Sequence, residues 1–426
     1  MANEHTGSTA AGQRTARTVA MSGRDPHETG RASTPLELLF DLTFVIAIGE
    51  AASQLAHFLA AGHVAAGLVG FSFAMFGVCW AWVNFSWFAS AFDTDDWLFR
   101  VATMVQMVGV LILALGLPRM FASIEHGAHF DNAIMVFGYV VMRLAMVFQW
   151  LRAARQSPKR RAACLWYAAA ITTAQIGWVA QIFQDFSLGV SFALAALLIL
   201  IELGGPLLAE ARGGGTPWHA HHIAERYGLL VIIALGEGVV GTVASISAIV
   251  EHQGWNLDAI LICVAGTGLT FGMWWIYFMV PSAEILHAYR KRAFAWGYFH
   301  MVIFAAIAAT GAGLHVAAYF VEAKAQIGGL ATMLTVAVPV GTYVLLVYAL
   351  YTYLVRAFDP LHVVLLLATA AVVVLSVVLA ALGIGMPQCL IVLMLAPMVS
   401  VIGYELLGHR HKRAALDRVL PTAIRH

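Results

Sequence analysis

Residues 36–60 read Leu36-Glu37-Leu-Leu-Phe40-Asp41-Leu-Thr-Phe44-Val-Ile-Ala-Ile48-Gly49-Glu50-Ala-Ala-Ser-Gln54-Leu-Ala-His57-Phe-Leu-Ala60. The run is mainly apolar, contains no proline, and is longer than the roughly 20 residues a helix needs to cross a hydrocarbon core of about 30 Å. Eleven further runs of this kind follow, at 64–92, 98–117, 131–152, 162–183, 187–209, 223–249, 257–281, 294–320, 327–355, 361–383 and 387–407. The whole chain of 426 residues is 61% apolar and 11% charged. A soluble domain carries about 25% charged residues, and this chain has too few to cover a surface facing water. Lipid is the solvent that suits it. The expected fold is all-α, a polytopic transmembrane bundle of about twelve helices.

Charge placement gives the topology. With the N-terminus in the cytoplasm, 21 Lys and Arg fall on inner segments, whereas the outer side has only Arg119 and Lys324, and Arg143 lies within the fourth run. Cytoplasmic loops carry the excess of basic residues, so both termini are expected inside. Residues 1–33 lack an apolar signal-peptide core and read as a disordered cytoplasmic tail. The two transmembrane halves are 34–211 and 212–408, and 409–426 form a basic tail. Net charge is +1, and no basic stripe with interleaved aromatics suggests nucleic acid. The expected partners are the bilayer, a small solute or ion and, as an open option, further copies of the chain. The cysteines Cys79, Cys164, Cys263 and Cys389 lie in apolar runs without CxxC spacing, and packing is the expected role. No cofactor is expected.

The halves echo one another. Phe40-Asp-Leu-Thr-Phe-Val-Ile-Ala-Ile-Gly-Glu50 aligns with Tyr227-Gly-Leu-Leu-Val-Ile-Ile-Ala-Leu-Gly-Glu237, and Phe76-Gly-Val-Cys-Trp80-Ala-Trp82 aligns with Phe271-Gly-Met-Trp-Trp275-Ile-Tyr277. Gln106-Met-Val and His300-Met-Val keep the same order. A duplicated unit of six helices returns the chain to its starting side, so the two halves are expected to be parallel, with any pathway between them.

Charges inside a bilayer cost about 2.5–3.5 kcal/mol each on insertion scales, and each needs a reason. The candidates are Asp41, Glu50, Arg143, Glu202, Glu237 and Glu405, with Glu37, Glu225, Arg226 and His300 nearer the inner ends. Glu50 and Glu237 both close the duplicated motif after a glycine, and are expected to face each other as a carboxyl pair that carries protons or binds a cation. Glu37 and Asp41 share a helical face by i, i+4 spacing. Asp41 and Glu50 face opposite ways, so at least one should pair with another helix. Depth offers Arg143 either Asp41 or Glu50, with Asp41 preferred. Arg226 is expected to snorkel towards lipid head groups. His219, His221, His222 and Glu225 have the residue types of a metal cluster, but zinc needs three or four convergent ligands, and no metal is expected. The Trp80, Trp82, Trp274, Trp275 and Tyr277 stripe reads as packing and interfacial anchoring.

Thr34-Pro-Leu-Glu-Leu-Leu-Phe-Asp-Leu-Thr-Phe-Val-Ile-Ala-Ile48 and His222-Ile-Ala-Glu-Arg-Tyr-Gly-Leu-Leu-Val-Ile-Ile-Ala-Leu-Gly-Glu237 together resemble the two signature stretches of the bacterial low temperature requirement A (LtrA) family, over roughly residues 31–408. The resemblance implies a polytopic inner-membrane protein linked by name to growth in the cold, with Glu37, Asp41, His222, Glu225, Arg226, Gly236 and Glu237 as signature positions. The Phe40-Asp41 start is also similar to the first-helix signature of a potassium channel family built from six-helix repeats. This chain has no Ser before Asp41, and has Gly228 where the second repeat would need an Asp. The expected activity is proton- or cation-coupled transport through intramembrane carboxylates. A cation channel and a non-transport role in cold adaptation are the alternatives. An enzyme is not expected, because the polar groups are dispersed in depth.

Overall fold

The computed structural model describes residues 18–127, 130–184, 186–356 and 360–408. The described residues are helical, with no strand. The helices are α1 (Pro35–Ala60), α2 (Val64–Phe92), α3 (Trp97–His126), α4 (Ala133–Gln156), α5 (Arg161–Ile182), α6 (Leu188–Arg212), α7 (Ala220–Gln253), α8 (Leu257–Phe278), the short α9 (Ser282–Ala288), α10 (Ala293–Val321), α11 (Gly329–Val355), α12 (Pro360–Ala381) and α13 (Met386–Gly403). Eleven helices are long and apolar enough to cross a membrane by length and composition. The twelfth long helix is α1, whose 26 residues reach about 39 Å at 1.5 Å per residue.

Local chemistry fixes the starts. Pro35 occupies the first turn of α1, where its missing N–H costs nothing. Thr34 and Glu37 form a reciprocal capping box there. Asp96 caps α3, Asn256 caps α8, and the His219 side chain accepts from the His222 N–H at the start of α7. Some ends differ from expectation. The α3 helix continues through Pro118 to His126 instead of ending near 117, since helices in an apolar setting tolerate an interior proline when neighbours re-satisfy the freed backbone. The α8 helix stops at Phe278, and Pro281 precedes the separate turn of α9.

Bonds between loops sort the helix termini into two ends. At the near end, where α1 begins, Arg31 donates to Ala89 O (3.0 Å), His219 N to Ser90 Oγ (3.0 Å), Arg152 to Asp96 (3.0 Å) and Arg290 to Trp218 O (2.7 Å). At the far end Gln326 N donates to Ala60 O (2.7 Å) and Arg119 pairs with Asp131 (2.7 Å). Among the described residues, the basic side chains other than Arg119, Lys324 and the mid-helix Arg143 belong to near-end segments.

Residues 18–33 correct the expected disordered tail. They follow a defined path across the near end, with Val19 N on Asp96 (2.9 Å), Met21 N on Gln156 (2.7 Å) and Arg31 buried against Ala89. Polar composition suggested disorder, yet here the polar groups bond the helix ends and Met21 enters the core. Residues 1–17 and 409–426 lie outside the described residues.

In packing, α1 lies on α2 and α3, α7 lies on α8 and α10, and the pairs α3–α4, α10–α11, α5–α6 and α12–α13 are neighbours. The two halves of the chain meet where α1 and α2 lie against α7 and α10. This seam positions the candidate site.

Candidate functional site

Four ionisable side chains cross the seam near its near end. Glu37 and Asp41 stand one turn apart on α1, and His222 and Arg226 stand one turn apart on α7. His222 Nε2 lies 3.2 Å from Glu37 Oε2, and Arg226 Nη2 donates to Asp41 Oδ1 at 2.6 Å. Both pairs have the same sequence separation, 185, so the two helices run side by side in one direction. Trp82 on α2 donates its N–H to the same Asp41 oxygen at 2.7 Å, and Ser86 Oγ lies 3.4 Å from Arg226 Nη2. All four ionisable side chains are fully buried. Arg226 therefore does not snorkel. Its guanidinium is held inside by a facing carboxylate and lies over the Trp82 ring, 5.6 Å from the centroid. Glu225 points away, is exposed, and accepts from Ser33 N at 3.3 Å.

Aromatic rings close the next level. Tyr227 packs edge-on to Trp82 (5.0 Å) and His300 (5.0 Å), and against Trp296 (4.5 Å) and Phe304 (5.9 Å). Its hydroxyl accepts from Trp87 Nε1 at 3.0 Å. His300 reaches Tyr277 Oη at 2.9 Å and Trp296 O at 2.7 Å, so both of its ring nitrogens are engaged.

Beyond the rings lies Glu237. It is 8% exposed and has no hydrogen-bond or ion-pair partner among the described residues. Two glycines make its place. A β-carbon on Gly49 of α1 would stand 2.8 Å from the carboxylate, and one on Gly311 of α10 would stand 2.7 Å from the Glu237 backbone. Glu50 is half-buried and accepts from Gln54 on its own helix at 2.9 Å. The expected facing pair thus takes a different form. Glu237 reaches α1 one residue short of Glu50, whose carboxylate turns along α1.

Arg143 corrects the sequence reading. It pairs with neither Asp41 nor Glu50, but with Glu202 of α6 at 2.9 Å, and both side chains are buried. Trp80 Nε1 donates to Glu202 at 2.6 Å, Tyr139 Oη donates to it at 3.1 Å, and Arg143 also bonds Tyr139. The cluster lies inside the first half, among α2, α4 and α6, while Asp41 is taken by Arg226.

At the near-end surface, Asp93 follows α2 and is buried. Burial, with the Glu37 charge second, pushes its carboxyl up to about 6. His219 is used structurally: its Nδ1 accepts from His222 N (3.2 Å) and its Nε2 lies 2.8 Å from Glu28 O, and burial lowers its pKa. Among the described residues, no three His, Cys, Asp or Glu side chains are placed to hold a metal.

The family model for bacterial low temperature requirement A protein matches residues 32–397, which takes in both flanks of the seam. The chain belongs to the LtrA family. It is also similar to the uncharacterized protein RA0937 of Rhizobium meliloti (strain 1021), with 27% identity over 258 residues. That match covers 58% of this chain and 58% of that protein. No solved structure matches.

Three elements of this LtrA protein's site escaped the sequence reading. The tryptophan stripe was read as packing, yet Trp80 and Trp82 each give the indole N–H to a buried carboxylate. The signal was available, since a buried Trp carries one donor that needs an acceptor. Glu202 was seen without a role, because depth alone does not say that α4 and α6 approach each other around α2. Gly311 gave no signal, because its meaning depends on what α10 packs against.

Proposed function

We propose that this LtrA-family protein is a proton- or cation-coupled transporter of a bacterial cytoplasmic membrane, with Glu237 as the coupling carboxyl. The observation that carries this reading is that Glu237 is buried without a partner among the described residues, whereas the half-buried Glu50 bonds Gln54 and five other charges within the helices are paired. Glu37, Asp41, Arg143, Glu202 and Arg226 all have oppositely charged or ionisable partners, and Glu237 has none among the described residues. An unpaired carboxylate in a bilayer costs about 2.5–3.5 kcal/mol, a cost that disappears when it takes a proton or a cation. The missing side chains of Gly49 and Gly311 let the Glu237 carboxylate lie directly at the contact of α7 with α1 and α10.

The excess of basic residues at the near end supports placing that end in the cytoplasm. Matched neighbour order in the two halves supports a duplicated six-helix unit: α1–α2 with α7–α8, α3–α4 with α10–α11, and α5–α6 with α12–α13. A transport path along the seam follows from that arrangement.

Reaction with dicyclohexylcarbodiimide tests the assignment, since the reagent partitions into apolar surroundings and modifies carboxyls that hold a proton. Protein in liposomes should take up one label, at Glu237, and lose solute-driven proton flux in proportion. Labelling confined to Glu37, Asp41 or Glu202 would overturn the reading. Ionic currents far above carrier turnover would make the protein a channel.

A further inference from the structure

We infer that the near-end half of the α1–α7 seam is a hydrated vestibule, in which ordered waters join Asp93 and Arg31 at its mouth to the Asp41–Arg226 pair at its floor. The inference is independent of any role for Glu237.

The buried polar atoms there are only half satisfied. Arg226 spends Nη2 on Asp41 and Ser86, while its Nε and Nη1 have no hydrogen-bond partner among the described residues. Asp41 Oδ2 is in the same position, as are His222 Nδ1, Arg31 Nε and Asp93 Oδ2. These groups are near neighbours. Glu37 lies within electrostatic reach of Arg226, His222 and Asp93, and Asp93 lies within reach of Arg31. More than nine in ten buried polar groups in proteins are bonded, to protein or to ordered water, and leaving one unbonded costs about 1–3 kcal/mol. Several unbonded groups in one place therefore call for a ligand.

The mixture of donors and acceptors says which ligand. Arg226 Nε and Nη1 and Arg31 Nε can only donate, whereas Asp41 Oδ2 and Asp93 Oδ2, as carboxylates, can only accept. A metal cation would satisfy the carboxylates and be repelled by the guanidinium groups. An inorganic anion would do the reverse. Water donates and accepts, and buried water makes about three such bonds. The string of groups runs from the loop after α2 to between one and two turns inside α1, and ends at the Trp82–Tyr227–Phe304 rings. From Arg226 to Glu237 is eleven residues of α7, about 16 Å, and the rings occupy that interval. The vestibule brings water and protons to the ion pairs and stops there.

Pulsed hydroxyl-radical footprinting of the full chain in nanodiscs tests this, because oxidation depends on water beside the ring. Trp82 is fully buried, yet should be oxidised at least tenfold faster than the equally buried Tyr343 on α11. Equal protection of the two rings would overturn the vestibule. The double variant Asp41→Leu/Arg226→Leu removes both ends of the floor, and should slow Trp82 oxidation at least fivefold. Unchanged oxidation in a folded double variant would show that the polar pair does not hold the water, and would overturn the assignment. If the double variant fails to fold, the wild-type comparison still decides. Loss of Trp82 oxidation on adding chloride or phosphate would assign the site to an anion, and would also overturn it.

Discussion

The two halves of the α1–α7 seam use acidic residues in opposite ways. Near the end where α1 begins, Glu37 and Asp41 are matched one to one by His222 and Arg226, and Trp82 tightens the deeper pair. Towards the far end, Glu237 lies between two glycines with no matching base among the described residues. The first arrangement ties the two halves of the chain together, and a tie of this kind cannot change its charge cheaply. The second leaves a carboxyl whose charge state is not fixed by a neighbour. The same residue type thus serves cohesion at one level and is free for chemistry at another, and what differs is whether a partner lies across the seam.

Breaking the near half should have the largest effect. Arg226→Leu leaves Asp41 buried and uncompensated, which costs about 3–5 kcal/mol for the loss of one member of a buried pair. Folded protein, followed by size-exclusion profile and thermal unfolding in detergent, should fall sharply. Adding Asp41→Leu should recover most of it, since an apolar replacement of both partners is often neutral. Loss with no recovery would show that Asp41 is held by something other than Arg226.

The cluster inside the first half sharpens the same contrast. Arg143→Gln should cost about 3 kcal/mol, because Glu202 then keeps only the Trp80 and Tyr139 donors in an apolar setting. Adding Glu202→Gln should restore abundance, and adding Asp41→Asn should not. Rescue by Asp41→Asn would reassign the pair.

The glycines around Glu237 should respond unequally. Gly311→Ala places a methyl 2.7 Å from the Glu237 backbone, which cannot yield without moving α7, and overpacking of this kind costs about 1–3 kcal/mol. Gly49→Ala meets only the tip of the Glu237 side chain, so unfolding temperature should change little while flux falls. Equal destabilisation by both would mean that the carboxylate is clamped, not free.

The smallest effect belongs to Asp93. Its folded pKa, raised to about 6, lies above the ordinary value of 3.8. The folded state therefore holds this proton more tightly, and the associated stability is present at acid pH and lost as pH rises through about 6. Asp93→Asn should leave the unfolding temperature nearly unchanged at pH 4 and raise stability by about 1–2 kcal/mol at pH 7.5. The net rise of about two units already contains the attraction to Arg31, so about 2.7 kcal/mol is the upper bound. Destabilisation at pH 7.5 would show that the charge of Asp93 is needed.

The helices were legible because length and apolarity suffice to find a span, and the near-end basic residues set the alternation. The pairings were less so. Glu37/Asp41 and His222/Arg226 carry the same i, i+4 spacing in the sequence, but matching them requires knowing that α1 lies beside α7. For Arg143 the depth argument was sound and the choice of neighbour was not. Glu202 lies ten residues from the near end of α6, about 15 Å, a depth as suitable as that of Asp41. Helices apolar on every side give no periodic signal of which face meets which neighbour, so adjacency must come from the structure. Residues 18–33 were misread for a related reason, since polar composition does not distinguish a solvated tail from a strap bonded to helix ends.

The central claim is that Glu237, and not a paired acid, carries the coupling charge. The direct measurement is proton flux per folded molecule in liposomes under an imposed potential, with a pH-sensitive dye and a panel of solutes, for Glu237→Gln beside the wild type. Glutamine keeps the size of the side chain, so folded protein should stay near the wild-type level while solute-dependent proton flux falls at least tenfold. Wild-type flux in the Glu237→Gln variant, or a loss of folded protein that accounts for the missing flux, would contradict the account.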